Sequence, residues 1–220
     1  MPNINEMRQT VLEVFFNQSF YRTRIDQIKA YGDHDFHKYD IGIFLFWCGV
    51  IDFFGGLYGV GINGDVADRN QRDGRVKKLS NGSTFQAFII RFFVDGKGSE
   101  QLSSMVYNVF RNGMAHQLSP KKAGIHWIDD DVLIYYPKPG DAVHLNIKYF
   151  SKLTYDAFVG LQDVVSAKQP GNDNSDLIVE RIFNVILKAP NGDGIGDDRA
   201  IAAELTQLSA INYSIPVMQP

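Results

Sequence analysis

A chain of 220 residues with 45% hydrophobic and 21% charged residues has the composition of one folded domain, which excludes an intrinsically disordered chain. Its net charge of −3 excludes a general attraction to nucleic acid, so any contact with RNA has to rest on a local basic patch. The single cysteine, Cys48, excludes an intramolecular disulfide and favours a reducing, cytoplasmic compartment.

The N-terminal region predicts one long amphipathic helix. Apolar residues recur at helical spacing from Ile4 to about Tyr31, with charged residues between them. The segment lacks the basic region, compact apolar stretch and small-residue cleavage site of a signal peptide. The polar run GDHDFHKYD ends this helix, and Asp33 or Asp35 is a candidate cap for the next one.

An apolar run over residues 41–62 is long enough to cross a bilayer. Asp52 lies at its middle, where a carboxylate is costly in lipid, and glycines interrupt its second half. The run therefore predicts a buried core helix ending at about Tyr58. A membrane-associated protein built on this run remains a less favoured alternative.

The following stretch, GVGINGDVADRNQRDGRVKKLSNGS, predicts a long exposed loop. Its first six residues, 59–64, fit the G-x-G-x-x-G pattern of dinucleotide-binding proteins, but they follow a helical run and lead into no apolar periodicity. The loop also carries a basic group, whose members are Arg69, Arg72, Arg75, Lys77 and Lys78.

The rest of the chain predicts four further helices and one small hairpin. Helical spacing covers residues 85–92 and returns after Ser99 as N-cap. β-branched and aromatic residues on either side of PKPGD predict a β-hairpin at about 124–150. Residues 153–167 and 176–187 predict two more helices. The fold class is therefore mainly α, a helical bundle with a small hairpin after the fourth helix. One domain covers residues 1–190, and residues 191–220 form a C-terminal extension.

Two patterns suggest metal binding only weakly. The run NGDGIGDD resembles a calcium loop, but Ile195 and Ala202 occupy positions where oxygen ligands are needed. His34 and His37 lie among carboxylates without a third ligand in the sequence. We therefore predict neither a metal nor a cofactor.

Asp52 is unusual because its neighbours in the sequence are almost all apolar. A carboxylate in such surroundings is costly unless a partner neutralises it or donates a hydrogen bond. The simpler interpretation is an internal ion pair or a cap. The functional alternative is a residue that orients a catalytic base.

The run FRNGMAHQ places Arg111, Asn112 and His116 near the end of a predicted helix. Five residues turn an ideal helix about 140° past one full turn, so Arg111 and His116 would not share a face. Gly113 is expected to let the helix bend or end and so bring the two side chains together.

The same run resembles the Arg-x4-6-His signature of HEPN domains, a superfamily of helical bundles. The resemblance implies a homodimer in which two copies of the motif face each other across a cleft. Active members are metal-independent ribonucleases, often toxins or defence effectors, so RNA and an antitoxin or operon partner are the expected partners. Carried over by position, Arg111 and His116 form the catalytic pair, and Asn112 is the adjacent polar residue.

The residue types fit RNA cleavage without a metal. Histidine moves protons near neutral pH, and the planar arginine fork stabilises charge on a phosphate. The local basic patch would consist of Lys121 and Lys122 together with Arg75, Lys77 and Lys78.

A non-catalytic dimerising module is the main alternative, with Arg111 and His116 in structural roles. The direction of Arg111 discriminates between the two. A motif mate across a two-fold cleft favours the nuclease, and a buried bond to a backbone carbonyl or to Asp52 favours the module.

Overall fold

The computed structural model of the chain describes residues 2–17, 20–33, 40–61, 79–93, 99–117, 123–167 and 175–184. This part of the chain is mainly α-helical with a small three-stranded sheet, which confirms the predicted fold class. The helices are α1 (Ile4–Thr10), α2 (Phe20–Asp33), α3 (Asp40–Tyr58), α4 (Asn81–Phe92), α5 (Ser99–Met105), α6 (Asn112–Gln117), α7 (Ile147–Ser166) and α8 (Ser175–Ile182). Two π-helical segments cover Val11–Asn17 and Val106–Arg111, and the strands are β1 (Ala123–His126), β2 (Ile134–Tyr135) and β3 (Val143–Asn146).

The N-terminal helical region is not the uniform α-helix that the sequence predicts. A capping box begins α1: the Asn3 side chain accepts from the Glu6 amide at 3.0 Å, and the Glu6 carboxylate accepts from the Asn3 amide at 2.8 Å. The first π segment then brings Phe15 and Phe16 fully into the core. Asp33 lies in the last turn of α2 and does not cap α3, and Asp35 lies outside the described residues.

Helix α3 is the central core helix that the apolar run predicts. It is the one helix within the described residues that is long and apolar enough to cross a membrane, and 56% of its apolar window is buried in the protein. Trp47 and Ile51 are fully buried, and α3 packs against α4 and α7. Gly55 allows the close approach of α4, since a Cβ there would lie 2.8 Å from the Thr84 carbonyl oxygen.

Helices α4 to α6 follow the predicted spacing but differ at their ends. Ser80 caps α4 by accepting from the Ser83 amide at 3.2 Å. Ser99 is the first residue of α5 rather than its N-cap. The helical chain from α5 continues through the second π segment into α6, so it does not end at Gly113 as expected.

The predicted hairpin is present as β2 and β3, but its first strand is shorter than expected and a third strand joins the sheet. The strand order is β1-β3-β2, with β2 antiparallel to β3 and β1 parallel to it. The stretch predicted as one first strand is divided into β1 and β2 by residues 127–133. Only β2 and β3 form a hairpin, and β1 completes the sheet on the other side of β3.

Helix α7 begins at Ile147, six residues before the predicted start. Asn146 caps it by accepting from the amides of Lys148 and Tyr149 at 3.1 and 3.4 Å. Residues 147–150 were expected in a strand because they continue a run of β-branched and aromatic residues. This cap and the burial of Ile147 and Phe150 decide the helix instead.

A buried arginine joins the first and last described helices. Arg8 of α1 is 7% exposed, and its guanidinium donates to the Val165 carbonyl, the Ser175 hydroxyl and the Asp176 carboxylate. The predicted end of α8 at residue 187 and the extension 191–220 lie outside the described residues.

Candidate active site around Arg111

The packing of the second π segment on the bundle brings Arg111 to Asp52, which lies 59 positions earlier on α3. The Arg111 Nη2 donates to Asp52 Oδ2 at 2.9 Å, and each side chain is 23% exposed. The π segment buries Val106 and Phe110 completely and ends at Arg111, which therefore lies at the edge of the core. π-helical turns often occur at functional sites, and Arg111 at the end of this segment is therefore a candidate functional residue.

Two further groups hold the guanidinium in place. Arg111 Nη1 donates to Asn112 Oδ1 at 3.0 Å, and the Cζ atom lies 5.5 Å from the centre of the Tyr107 ring. Tyr107 was missed in the sequence, although its position four residues before Arg111 on a helix is the spacing that brings side chains together. Both contacts reduce the freedom of the arginine side chain.

The electrostatics keep Arg111 charged. Burial by itself lowers the pKa of Arg111, but the hydrogen bond and negative charge of Asp52, with smaller contributions from Tyr107 and Cys48, outweigh it and raise the pKa. The guanidinium is therefore a permanent cation at this site.

Asp52 forms the internal ion pair that its apolar neighbours in the sequence predicted. Only Oδ2 is used: Oδ1 is buried and finds no hydrogen-bond partner among the described residues. A buried acceptor without a donor costs about 1–3 kcal/mol. The pair is thus not optimised for stability within the described part of the chain.

Cys48 lies one helical turn before Asp52 and is 3% exposed. Burial, and then the nearby Asp52 charge, raise the pKa of the thiol well above its usual value, although the Arg111 charge acts in the opposite direction. Cys48 is therefore a protonated core residue and no candidate nucleophile.

The backbone of His116 lies in α6, one residue before its end, and its side chain lies outside the described part of the structure. Because the α-helix runs through Gly113, the backbone keeps the offset of about 140° from Arg111 that an ideal helix gives. The expected break that would bring Arg111 and His116 onto one face is absent from α6.

The predicted basic patch also falls outside the described residues, since Lys121, Lys122, Arg75, Lys77 and Lys78 all lie in the gaps of the structure. Within the described ranges, no group of three or more histidine, cysteine, aspartate or glutamate side chains is placed to hold a metal ion. Arg111, Asn112 and Asp52 are the predicted site residues that the structure brings together.

No protein-family model, curated protein or solved structure matches the chain. This cluster and the resemblance of its short motif are therefore the features that point to a function.

Proposed function

We propose that the chain is a HEPN-like, cytoplasmic homodimer that binds RNA at Arg111 and cleaves it without a metal. One observation carries the proposal: Arg111 is held by two side chains yet remains partly exposed. Its two terminal nitrogens each donate one hydrogen bond within the described residues, to Asp52 and to Asn112. Each terminal nitrogen carries two hydrogens, so donors remain for phosphate oxygens.

Fixing a cation before the ligand arrives favours stabilisation of charge in a transition state. Preorganised donors need no rearrangement when charge builds on the phosphoryl oxygens. Asp52 and Asn112 are in this proposal the positioning residues for Arg111. His116 is the proposed general acid or base, because its side chain type moves protons near neutral pH.

The unpaired Oδ1 of Asp52 supports a role beyond folding. An apolar side chain at this position of α3 would avoid a buried oxygen without a donor. A carboxylate is kept here at a cost in stability, and positioning Arg111 is the role its contacts support.

The same ion pair favours a second candidate function, a non-catalytic dimerising module. Asp52 neutralises much of the charge of Arg111, which weakens attraction to a phosphate. A contact with Asp52 is also what a structural role for Arg111 predicts. The two functions differ in whether the purified dimer acts on RNA.

The decisive experiment measures cleavage of varied RNAs in EDTA, with the oligomeric state determined by light scattering. We compare the wild-type protein with His116→Ala and Arg111→Lys, which keeps the charge and loses the planar fork. Arg91→Lys, at an exposed position on α4, and His126→Ala, at an exposed position of β1, are the matched controls. The proposal expects cleavage by the wild type and both controls, and its loss in the two motif variants.

The outcomes separate the candidates. Cleavage that is equal in His116→Ala and the wild type contradicts the assigned mechanism. RNA binding without cleavage, weakened in Arg111→Lys, reduces the function to RNA binding. A dimer that neither binds nor cuts RNA supports the interaction module. A toxin is expected to arrest growth on expression, and His116→Ala or a co-expressed antitoxin would relieve the arrest.

A further inference from the structure

An apolar groove is lined by residues of α2 and α3. Its volume is about 730 Å³, and its lining includes Ile25 and Ile28 of α2 and Leu45, Phe46, Val50 and Phe53 of α3. Phe46 is 43% exposed, although most large aromatic side chains of this helix are buried. An open apolar surface of this kind marks a site for another apolar element.

The sequence after α8 contains a segment with a matching pattern. Apolar residues recur at Ile201, Leu205, Leu208 and Ile211, which is the spacing of one face of a helix. Thr206 and Gln207 fall on other faces of the same pattern. The segment therefore has the character of an amphipathic helix with one narrow apolar face.

The dimensions of the two surfaces agree. Residues 201–211 would form a helix about 16 Å long, and the stretch of α3 from Leu45 to Phe54 that lines the groove extends about 14 Å. An apolar face of four side chains is thus long enough to span the groove.

The connection between them is long enough. Arg181 in α8 donates to the Tyr58 carbonyl at 2.8 Å, so α8 lies against the C-terminal end of α3. Phe54, at the end of the groove, is one helical turn before Tyr58. Residues 185–200 reach at most about 50 Å when extended, several times the length of the groove.

The charges are also complementary. Arg24 contributes to the wall of the groove, and Glu204 directly precedes Leu205 in the segment. An acidic residue beside the apolar face would lie near this arginine in one of the two helix directions. A pair of this kind favours one orientation more than it adds affinity.

We propose that residues 201–211 dock as an amphipathic helix into the groove between α2 and α3 of the same chain. The connection through residues 185–200 gives the segment a local concentration of the order of millimolar at the groove. Even a weak apolar contact then keeps the groove covered. The proposal is independent of any activity at Arg111.

The groove offers a specific position for a crosslinking test. Gly49 is exposed on its floor, and a Cβ there meets nothing within 4 Å, so Gly49→Cys fits without disturbing α3. The native Cys48 is buried and does not compete for oxidant. The full-length chain is prepared as Gly49→Cys/Leu208→Cys and, as a matched control, as Gly49→Cys/Thr206→Cys.

Both variants are oxidised mildly at low protein concentration, and the disulfides are located by mass spectrometry. The proposal expects an intramolecular disulfide in the Leu208→Cys variant, formed at least about tenfold faster than in the Thr206→Cys control. Equal rates in the two variants overturn it. A disulfide between two chains overturns it in favour of a groove filled by a second copy.

A second measurement needs no engineered cysteine. In the full chain, Leu205→Asp/Leu208→Asp should release the segment and expose the groove, which raises binding of a fluorescent apolar dye several-fold over the wild type. The control Thr206→Asp/Gln207→Asp adds the same charge on other faces and should bind dye like the wild type. Dye binding that is unchanged in the leucine variant, or a wild-type chain that floats with phosphatidylcholine vesicles, contradicts the proposal.

Discussion

Asp52 on α3 holds Arg111 at the end of the second π segment with one carboxylate oxygen, while its other oxygen is buried without a partner among the described residues. The hydrogen bond joins two elements that are 59 residues apart, and it fixes the guanidinium at the edge of the core. The ion pair therefore contributes both to the packing of the two elements and to the position of the proposed site. Substituting Asp52 and Arg111 singly and together measures the contribution of each residue to stability.

We expect Arg111→Met to destabilise the protein more than Asp52→Asn does. The methionine leaves a half-buried carboxylate with neither oxygen paired, at a cost of about 2–3 kcal/mol, whereas asparagine keeps an acceptor for Arg111 and costs about 1 kcal/mol. Urea unfolding measures both losses. The control Lys138→Met, at an exposed position between β2 and β3, should change stability by about 0.5 kcal/mol or less.

The double variant Asp52→Leu/Arg111→Met should be less destabilised than Arg111→Met alone, because no charge is then left without a partner. If its loss equals the sum of the losses of Asp52→Leu and Arg111→Met, the two residues are not coupled and the ion pair contributes nothing to stability.

Asn146 is expected to be the most sensitive polar residue of the sheet region. It is fully buried, caps α7, and its amide nitrogen donates to the Asp130 carbonyl at 2.8 Å. Asn146→Ala removes the cap and the part-buried hydrogen bond to the Asp130 carbonyl, and it leaves a small void at a fully buried position, so we expect a loss of about 2–3 kcal/mol in urea unfolding.

A matched control tests whether burial is the cause. Asn108→Ala removes an exposed side-chain contact with Ser104 and should cost about 0.5 kcal/mol or less. Asn146→Asp keeps the cap oxygens but loses the donor to Asp130, so its loss should lie between those of the two alanine variants. A loss for Asn146→Ala as small as that for Asn108→Ala contradicts the structural role.

The stability of the sheet should fall in mild acid because of His144 on β3. Burial, and then the charge of His126, lower the pKa of His144 from its usual 6.5, while Asp141 acts in the opposite direction. The two imidazole rings are stacked with centroids 4.4 Å apart, and His144 Nδ1 is buried without a partner among the described residues. As the pH falls below 6.5, the unfolded chain binds a proton before the folded chain does.

The contribution of neutral His144 to stability is therefore fully present above pH 6.5 and lost as the pH falls through its lower folded pKa. Unfolding free energies measured from about pH 8 to pH 5 should show this loss in the wild type and a smaller one in His144→Gln. His126→Gln removes the neighbouring charge together with the stacked ring but leaves the burial of His144, so it should give an intermediate slope. Identical slopes in all three proteins would contradict the assignment.

The helices were predictable where one face is apolar and the ends carry a signal. The position of α4 follows from helical spacing, and that of α3 follows from a continuous apolar run with a glycine-rich end. The start of α7 was missed because residues 147–150 have β-branched and aromatic side chains, yet Asn146 directly before them was an available cap signal. The strand prediction for residues 147–150 relied on side-chain type alone and was therefore wrong.

Other features depend on contacts that a sequence pattern does not contain. Alternation indicates a strand but not its partner, so the parallel pairing of β1 with β3 was not predicted. The two π segments likewise depend on packing rather than on local propensity. Asp52 was recognised as needing a partner and Arg111 was named as one possible partner, but the sequence did not decide between this ion pair and a helix cap.

The thiol of Cys48 should be protected from labelling as long as the protein is folded. It is 3% exposed, and burial raises its pKa, so little reactive thiolate is present and access is closed. Labelling by a maleimide or an aromatic disulfide is compared with that of Gly56→Cys, which adds an exposed thiol on α3 outside the groove. We expect the added thiol to react at least about 100-fold faster than Cys48 at neutral pH.

Urea should accelerate labelling of Cys48 in step with unfolding, because the thiol becomes reachable only when α3 leaves the core. Labelling of Cys48 as fast as that of Gly56→Cys in native buffer would show that this part of α3 opens readily. It would also remove the basis for treating Asp52, one turn away, as a rigid support for Arg111.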